Sequence, residues 1–197
     1  PGRSGSLMNQ QKSQTTEEVL AESLKHLMAV IPFEKITVKE ITDEAHVKRP
    51  TFYNHFRDKY DVVEYILQRD IIRPAHMLIS CDMLHEAIRL MLNGMKKDSD
   101  FYIRAVKIEG TNSFKEVLMQ NLTGILRDAM NMRGMDETHS NPILTMDNIA
   151  ECYALCITFG IVKWIQGGMK IEVDDVCEAL QIMLSESLAD IIYHRKK

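Results

Sequence analysis

Residues 37–59, TVKEITDEAHVKRPTFYNHFRDK, fit two short helical patterns and a redirecting turn into 23 positions. The first pattern opens on a capping box, Thr37 with Glu40, and continues through Val38, Ile41 and Ala45. In such a box the threonine hydroxyl accepts from the third helical amide while the glutamate accepts from the cap amide, so orphan donors are satisfied locally. The turn falls at His46 and Val47, where the chain must redirect within a few residues, as in helix-turn-helix units. Pro50 then sits in the first turn of the next helix, where its missing N–H costs nothing because those amides have no internal partner. Phe52 and Phe56 lie four apart and share one face, which belongs to a small core. By the same steps of about 100° per residue, Pro50, Thr51 and Asn54 point away from that core, and Tyr53 and His55 flank it.

A third helix precedes this pair. Thr15 and Glu18 form a second capping box, followed by Leu20, Leu24, Leu27, Met28 and Ile31 on one face and a stop at Pro32. Between His46 and Tyr60 the charges are Lys48, Arg49, Arg57 and Lys59 against Asp58 alone, in a chain whose net charge is -4. A basic face on an acidic protein is suited to docking one polyanion through one patch. Hydroxyl, imidazole and ammonium groups all donate to phosphate oxygens. A helix that presents threonine, asparagine, tyrosine and histidine outward, with Lys48 and Arg49 at its amino end, has the form of a major-groove reader.

The segment 47–59, VKRPTFYNHFRDK, resembles the recognition helix and following turn of the TetR family of transcriptional regulators. There a T-[FLI]-Y-x-[HY]-F core precedes a short turn and a lysine. The resemblance extends back over the two preceding helices and covers about a quarter of the chain. It implies phosphate contacts from Tyr53, His55, Lys59 and the Thr37 cap, with Lys48, Arg49, Thr51 and Asn54 nearest the bases. Pro50 departs from the small residue usual at its position.

After Lys59 the pattern lengthens. Residues 61–72, DVVEYILQRDII, predict a helix that carries the chain out of the first bundle, with Pro74 and residues 80–82 marking its end. Further helices are predicted over 83–97, over 101–109 with Asp98 as its cap, and from the Ser113–Glu116 box to Gly134. Residues 136–142, DETHSNP, are the most loop-like stretch. Residues 149–165 are apolar nearly all round, so a core on one side and a partner on the other must cover them. A wide apolar stripe runs over 173–192. Two such neighbouring helices predict a homodimer through a four-helix interface carried by Tyr153, Cys156, Trp164, Leu180, Leu184 and Leu188. Met91, Tyr102, Met119, Met130 and Phe159 are candidates to border an effector cavity, since methionine adapts its shape to varied ligands.

The carboxyl-terminal half also resembles the effector domain of the DhaS-type branch of the same family. The resemblance rests on Phe101-Tyr102, Gly110, Phe114 and CYALCITFGIVKWIQGGMKIEVDDV over 152–176. That branch includes activators working with a partner protein as well as repressors.

The expected fold is all-α: a three-helix helix-turn-helix DNA-binding domain over 9–60 and a helical effector-binding and dimerisation bundle over 61–197. Residues 1–8, opening PGRSGSL, are expected to be an expression remnant and stand outside the fold. A length of 197 residues with 45% apolar and 26% charged content suits ordinary globular packing. Residues 149–165 carry Glu151 and Lys163 and fall short of the roughly 18 uninterrupted apolar residues of a spanning helix, so no membrane partner is expected. Cys81, Cys152, Cys156 and Cys177 form no CxxC pair and no secretory leader precedes them, which predicts reduced thiols in the cytoplasm. Cys152 and Cys156 share a helix face that would suit a soft metal, but buried free cysteine is the commoner reading and no metal or cofactor is expected. No nucleophile elbow, phosphate loop or carboxylate pair is present, so an enzyme reading has no support. Two functions fit these features. One is a ligand-responsive dimeric repressor reading a palindromic double-stranded operator, with an unknown small-molecule effector. The other is an activator or interaction protein whose carboxyl-terminal domain docks a partner protein that senses the signal.

Overall fold

The structure, a computed structural model, describes residues 14–110, 112–134 and 141–193, and among these there is no strand. The all-α expectation is met. The expected remnant at 1–8, most of the loop at 136–142 and the Leu188 side chain lie outside the described residues.

Helix α1 (Thr16–Val30) starts on the Thr15–Glu18 box and buries Leu20, Ala21, Leu24 and Met28. A single 3-10 turn (Phe33–Lys35) leads to α2 (Val38–Glu44), which starts on the Thr37–Glu40 box. His46 takes the left-handed conformation, φ 54°, and the reversed chain enters α3 (Arg49–Tyr53) with Pro50 in its first turn. Phe52 and Phe56 are buried against this small core and their rings lie 5.8 Å apart. Asp58 then caps α4 (Lys59–Leu67) by accepting from the Tyr60 and Asp61 amides at 2.8 and 3.1 Å.

The next stretch departs from expectation. Pro74 does not end the helix. The chain widens into a π turn (Gln68–Ile72) and continues as α5 (Arg73–Ser80). The Arg73 amide bonds five residues back to the Gln68 carbonyl, which leaves room for the Pro74 ring where a regular turn would press it onto the Asp70 carbonyl. On α6 (Leu84–Lys97), Gly94 faces this turn. A Cβ there would stand 2.7 Å from Ile71 Cδ1, so the missing side chain lets α6 close on the widened segment.

Helix α7 (Ser99–Ala105) starts without a side-chain cap. The Asp98 carboxylate does not supply the expected one, and instead accepts from Lys25 Nζ of α1 at 2.5 Å. Lys25 also reaches Asp70 at 3.1 Å, and Arg69 spans Asp70 and Glu22, so five charges tie α1 to the π turn and to the start of α7. Burial pushes the Asp70 carboxyl up, but the hydrogen bond from Arg69 and the charge of Lys25 more than reverse this and hold it below its ordinary value. On the other side of the same turn Gln68 donates to Asn121 of α8 (Phe114–Met132).

Helix α8 packs along α9 (Met146–Gln166), the longest helix. By length and composition α9 would reach across a membrane, but 44% of its most apolar window is buried inside the chain. The single helix expected over 173–192 is two: α10 (Val173–Ser185) and α11 (Leu188–Tyr193). Glu186 is extended between them, and the Ser187 hydroxyl accepts from the Asp190 amide, which starts the second helix afresh. Buried apolar residues form one continuous cluster from Leu20 to Leu180, so the amino-terminal helices and the larger bundle share a core.

Candidate nucleic-acid interface

The outward side of α3 is built on its inward side. Phe52 fills the core, and the Tyr53 ring stands edge-on to it at 5.5 Å, which fixes a side chain that is itself 49% exposed. Arg49, one turn earlier, lies 5.6 Å from the Tyr53 ring and donates to the Tyr53 hydroxyl at 3.2 Å. Lys48, Pro50 and Asn54 are exposed on the same end of the unit and Thr51 is half-buried. Lys48 makes no ion pair among the described residues. Lys48, Arg49, Tyr53 and Asn54 are thus exposed, while Thr51, turned outward by the spacing, is partly covered.

Of two flanking groups, His55 is held by a partner that sequence spacing did not bring forward and Thr37 by its capping-box partner. His55 Nδ1 lies 2.8 Å from Glu17 Oε1 of α1, a pairing across 38 positions. The Glu17 carboxyl sits below its ordinary value, first through its own backbone amide, with Thr15 and His55 adding to the effect. Thr37 Oγ1 accepts from the Glu40 amide at 3.2 Å and donates to the Glu40 carboxylate at 2.8 Å, so the exposed cap is a rigid one. The Glu40 carboxyl is depressed chiefly by the Thr37 amide.

The net charge of the patch needs correcting. Four cations face one anion in the local count, but Arg57 forms a fork with Asp61, from Nε at 2.7 Å and from the second guanidinium nitrogen at 2.5 Å. The hydrogen bond from Arg57 holds the Asp61 carboxyl below its ordinary range. The spacing i, i+4 is legible, yet Asp61 lies just outside the window counted. Lys59 turns inward. Its ammonium donates to the carbonyls of Phe33, Glu34 and Ile36 at 2.7, 3.0 and 2.9 Å and lies 4.6 Å from the Phe33 ring. Burial pushes the Lys59 ammonium down from its ordinary value. The expected phosphate contact by Lys59 therefore finds its donors already engaged. Lys48 and Arg49 are left to carry the outward positive field.

In the carboxyl-terminal bundle the predicted interface residues divide. Trp164 and Leu180 are 4% and 1% exposed and pack within the chain, which corrects their assignment to a contact between copies. Trp164 Nε1 donates to the Ile171 carbonyl at 2.8 Å and closes the loop between α9 and α10. Leu180 packs on Gly160, where a Cβ would meet Leu180 Cδ2 at 2.6 Å. Leu184 is half-buried against the same core. Turned the other way, Cys152, Leu155, Cys156 and Phe159 lie on one stripe of α9 with Tyr153 beside it, and Leu155 and Phe159 are 48% and 56% exposed. Ile182 and Met183 of α10 are also open. Periodicity shows that a helix is apolar all round but not which side its own chain covers, so it does not separate the inward residues from the outward ones.

The five predicted effector contacts do not line one cavity. Met91 is core, Phe159 belongs to the exposed stripe, and Met119 and Met130 border two separate clefts of about 330 and 230 Å³. Tyr102 is 1% exposed and its hydroxyl has no hydrogen-bond partner among the described residues, while burial and the Asp70 and Asp98 charges push it far above its ordinary value. A larger cleft of about 510 Å³ lies between the α7–α8 connection and α9, floored by Ile103, Val106, Val162 and Ile165 with Lys107 and Lys115 at its rim. Its floor residues carry the same apolar signal as core, and pattern does not distinguish them. Among the described residues no three metal-ligating side chains converge.

Residues 22–66 match the model of bacterial regulatory proteins of the tetR family, and residues 82–186 match a model described as a transcriptional regulator C-terminal region. Over 63 residues the chain is 32% identical to the HTH-type dhaKLM operon transcriptional activator DhaS of Lactococcus lactis subsp. lactis (strain IL1403). That match spans 32% of this chain and 34% of the activator. Among solved structures, the dihydroxyacetone kinase operon activator DhaS aligns with a TM-score of 0.59 at 19% identity, over 90% of this chain and 97% of that one. A putative TetR-family regulator from Syntrophomonas wolfei str. Goettingen gives 0.60 at 16% identity, over 88% and 96%. The repressor FadR of Thermus thermophilus, solved in complex with lauroyl-CoA, gives 0.57 at 16% identity, over 87% and 94%. At these identities the structural likeness is one of fold.

Proposed function

This chain belongs to the TetR family of bacterial transcriptional regulators, and from that premise we propose that it is a dimeric, ligand-responsive repressor that reads a palindromic operator through α3. The observation that carries the reading is the rigid outward face of α3, where Arg49 and Tyr53 brace each other over a buried Phe52. Residues 9–60 form the reading head and 61–197 the effector and dimerisation body, working in the cytoplasm, where the DNA is. Lys48, Arg49, Thr51 and Asn54 meet base edges. Tyr53 donates its hydroxyl hydrogen to a phosphate; Thr37 does so on turning its hydroxyl away from the Glu40 carboxylate, and His55, whose Nδ1 donates to Glu17, does so through Nε2 as the imidazolium.

Two copies join through the apolar stripe of α9 and the open side of α10, which sets two α3 helices near the spacing of about 34 to 36 Å between half-sites. The unpartnered Tyr102 hydroxyl supports an effector contact inside the body, beside the charges that hold α1. Since FadR was solved with lauroyl-CoA, a long-chain acyl thioester is the first effector to test. Binding it must favour one of two states with different operator affinity.

Selection from randomised duplexes with the purified protein tests the reading. A palindromic site should emerge, and Asn54→Ala or Arg49→Ala should relax preference at one position by about 1–3 kcal/mol. Selection of no site, or of the same site by both variants, removes α3 from the groove. The match to the activator DhaS favours a second reading, in which the body docks a sensing protein and the output is activation. Constant operator affinity, with effector taken up only by a mixed complex, identifies that case.

A further inference from the structure

We infer that Lys59 serves DNA binding as a positioning residue: its ammonium clasps the α1–α2 turn to the first turn of α4 and so sets where Thr37 stands. The inference rests on the DNA-reading function proposed for α3. An ammonium has three N–H donors, and three carbonyls lie within 3.0 Å of Lys59 Nζ. They converge at a single 3-10 turn, Phe33–Lys35, whose closing bond from the Ile36 amide serves the Phe33 carbonyl and leaves those of Glu34 and Ile36 without a backbone donor among the described residues. Lys59 supplies them as a side-chain cap. The Phe33 ring closes the clasp from one side, under the ammonium and edge-on to Tyr60 at 5.0 Å.

The third carbonyl belongs to Ile36, and the next residue is Thr37, the cap of α2. Lys59 is itself the first residue of α4, fixed there by the Asp58 cap. One ammonium thus joins the start of α4 to the start of α2. To meet a phosphate it would have to release a carbonyl, and those of Glu34 and Ile36 have no backbone donor to replace it. Held as it is, it makes Thr37 and α2 travel with α4 whenever α4 tilts.

Operator binding by the full chain, measured between 50 and 200 mM salt, separates this role from a direct contact. Lys59→Met should lower affinity by about tenfold with the slope of log K against log salt unchanged, whereas Lys48→Ala should flatten that slope by about one. Lys59→Arg keeps the charge, but its planar fork does not match three converging carbonyls, so it too should lose affinity at unchanged slope. Thr37→Ala added to Lys59→Met should cost little more, because both changes act at one point. A slope flattened by about one in Lys59→Met, with Lys59→Arg binding as tightly as the parent, would overturn the inference. Amide hydrogen exchange without DNA gives a separate reading: Lys59→Met should speed exchange over residues 36–40 and leave α9 unchanged. Unaltered exchange at 36–40 sinks the clasp even if DNA is bound. Faster exchange there with no operator binding by the parent protein leaves the clasp standing and sinks the DNA-reading assignment.

Discussion

Asp70 accepts from Lys25 and Arg69 together, so removing its charge leaves two half-buried cations facing one carboxylate fewer. Asp70→Asn should destabilise the fold by about 2 kcal/mol near neutral pH, the scale of hydrogen bonds to charged groups. The pH dependence has a definite sign. A carboxyl held below its ordinary 3.8 contributes stability that is present above that value and lost as pH falls through its lowered one. The gap between parent and Asp70→Asn should therefore persist at pH 5 and close below about pH 3.8, as read from urea midpoints across pH. A gap constant down to pH 2 would assign the loss to packing rather than charge. Tyr53→Phe probes an exposed pair, Arg49 with Tyr53. It removes the acceptor of Arg49 and the donor to DNA, and should weaken binding to all duplexes without changing the preferred site.

At the scale of elements, α9 and α10 are organised by what stands between them. Gly160→Ala places a methyl on Leu180 at 2.6 Å, and overpacking of this kind costs about 1–3 kcal/mol, measurable as a lowered melting midpoint. On the opposite face Phe159→Glu puts a charge in the apolar stripe and should yield a folded monomer by sedimentation. A dimer that survives this change would remove the stripe from the interface. These two helices also mark where pattern reasoning stops. The capping boxes at Thr15 and Thr37, and Phe52 with Phe56, are legible because helix starts and the four-residue repeat are local chemistry. Which side of α9 its own chain covers depends on contacts made outside the helix, such as Trp164 with the α9–α10 loop and Gly160 with Leu180. The same holds for Lys59, whose carbonyl partners lie 23 to 26 positions back, and for His55 with Glu17. Charge counted along a window therefore overstates the outward field of the candidate interface.

For the whole molecule, the continuous core from Leu20 to Leu180 and the charges joining α1 to the π turn and α7 imply that head and body unfold together. Trp164, the single tryptophan, is buried in the body and reports there, while far-ultraviolet circular dichroism reports on every helix. The two signals should fall in one coincident transition. An earlier loss of helix with Trp164 undisturbed would show a head that melts alone. The π turn at Gln68–Ile72 has another consequence. Each residue added to a helix rotates the remainder of the chain about the axis by about 100°, and this turn absorbs one more residue than a regular turn between head and body. Deleting a single position there would close the turn to a regular one and keep the operator-reading end in phase with the rest, while inserting one would rotate it by about 100°. The segment holds one residue in reserve, so the angle between the two ends should survive the loss of a position there and not the gain of one.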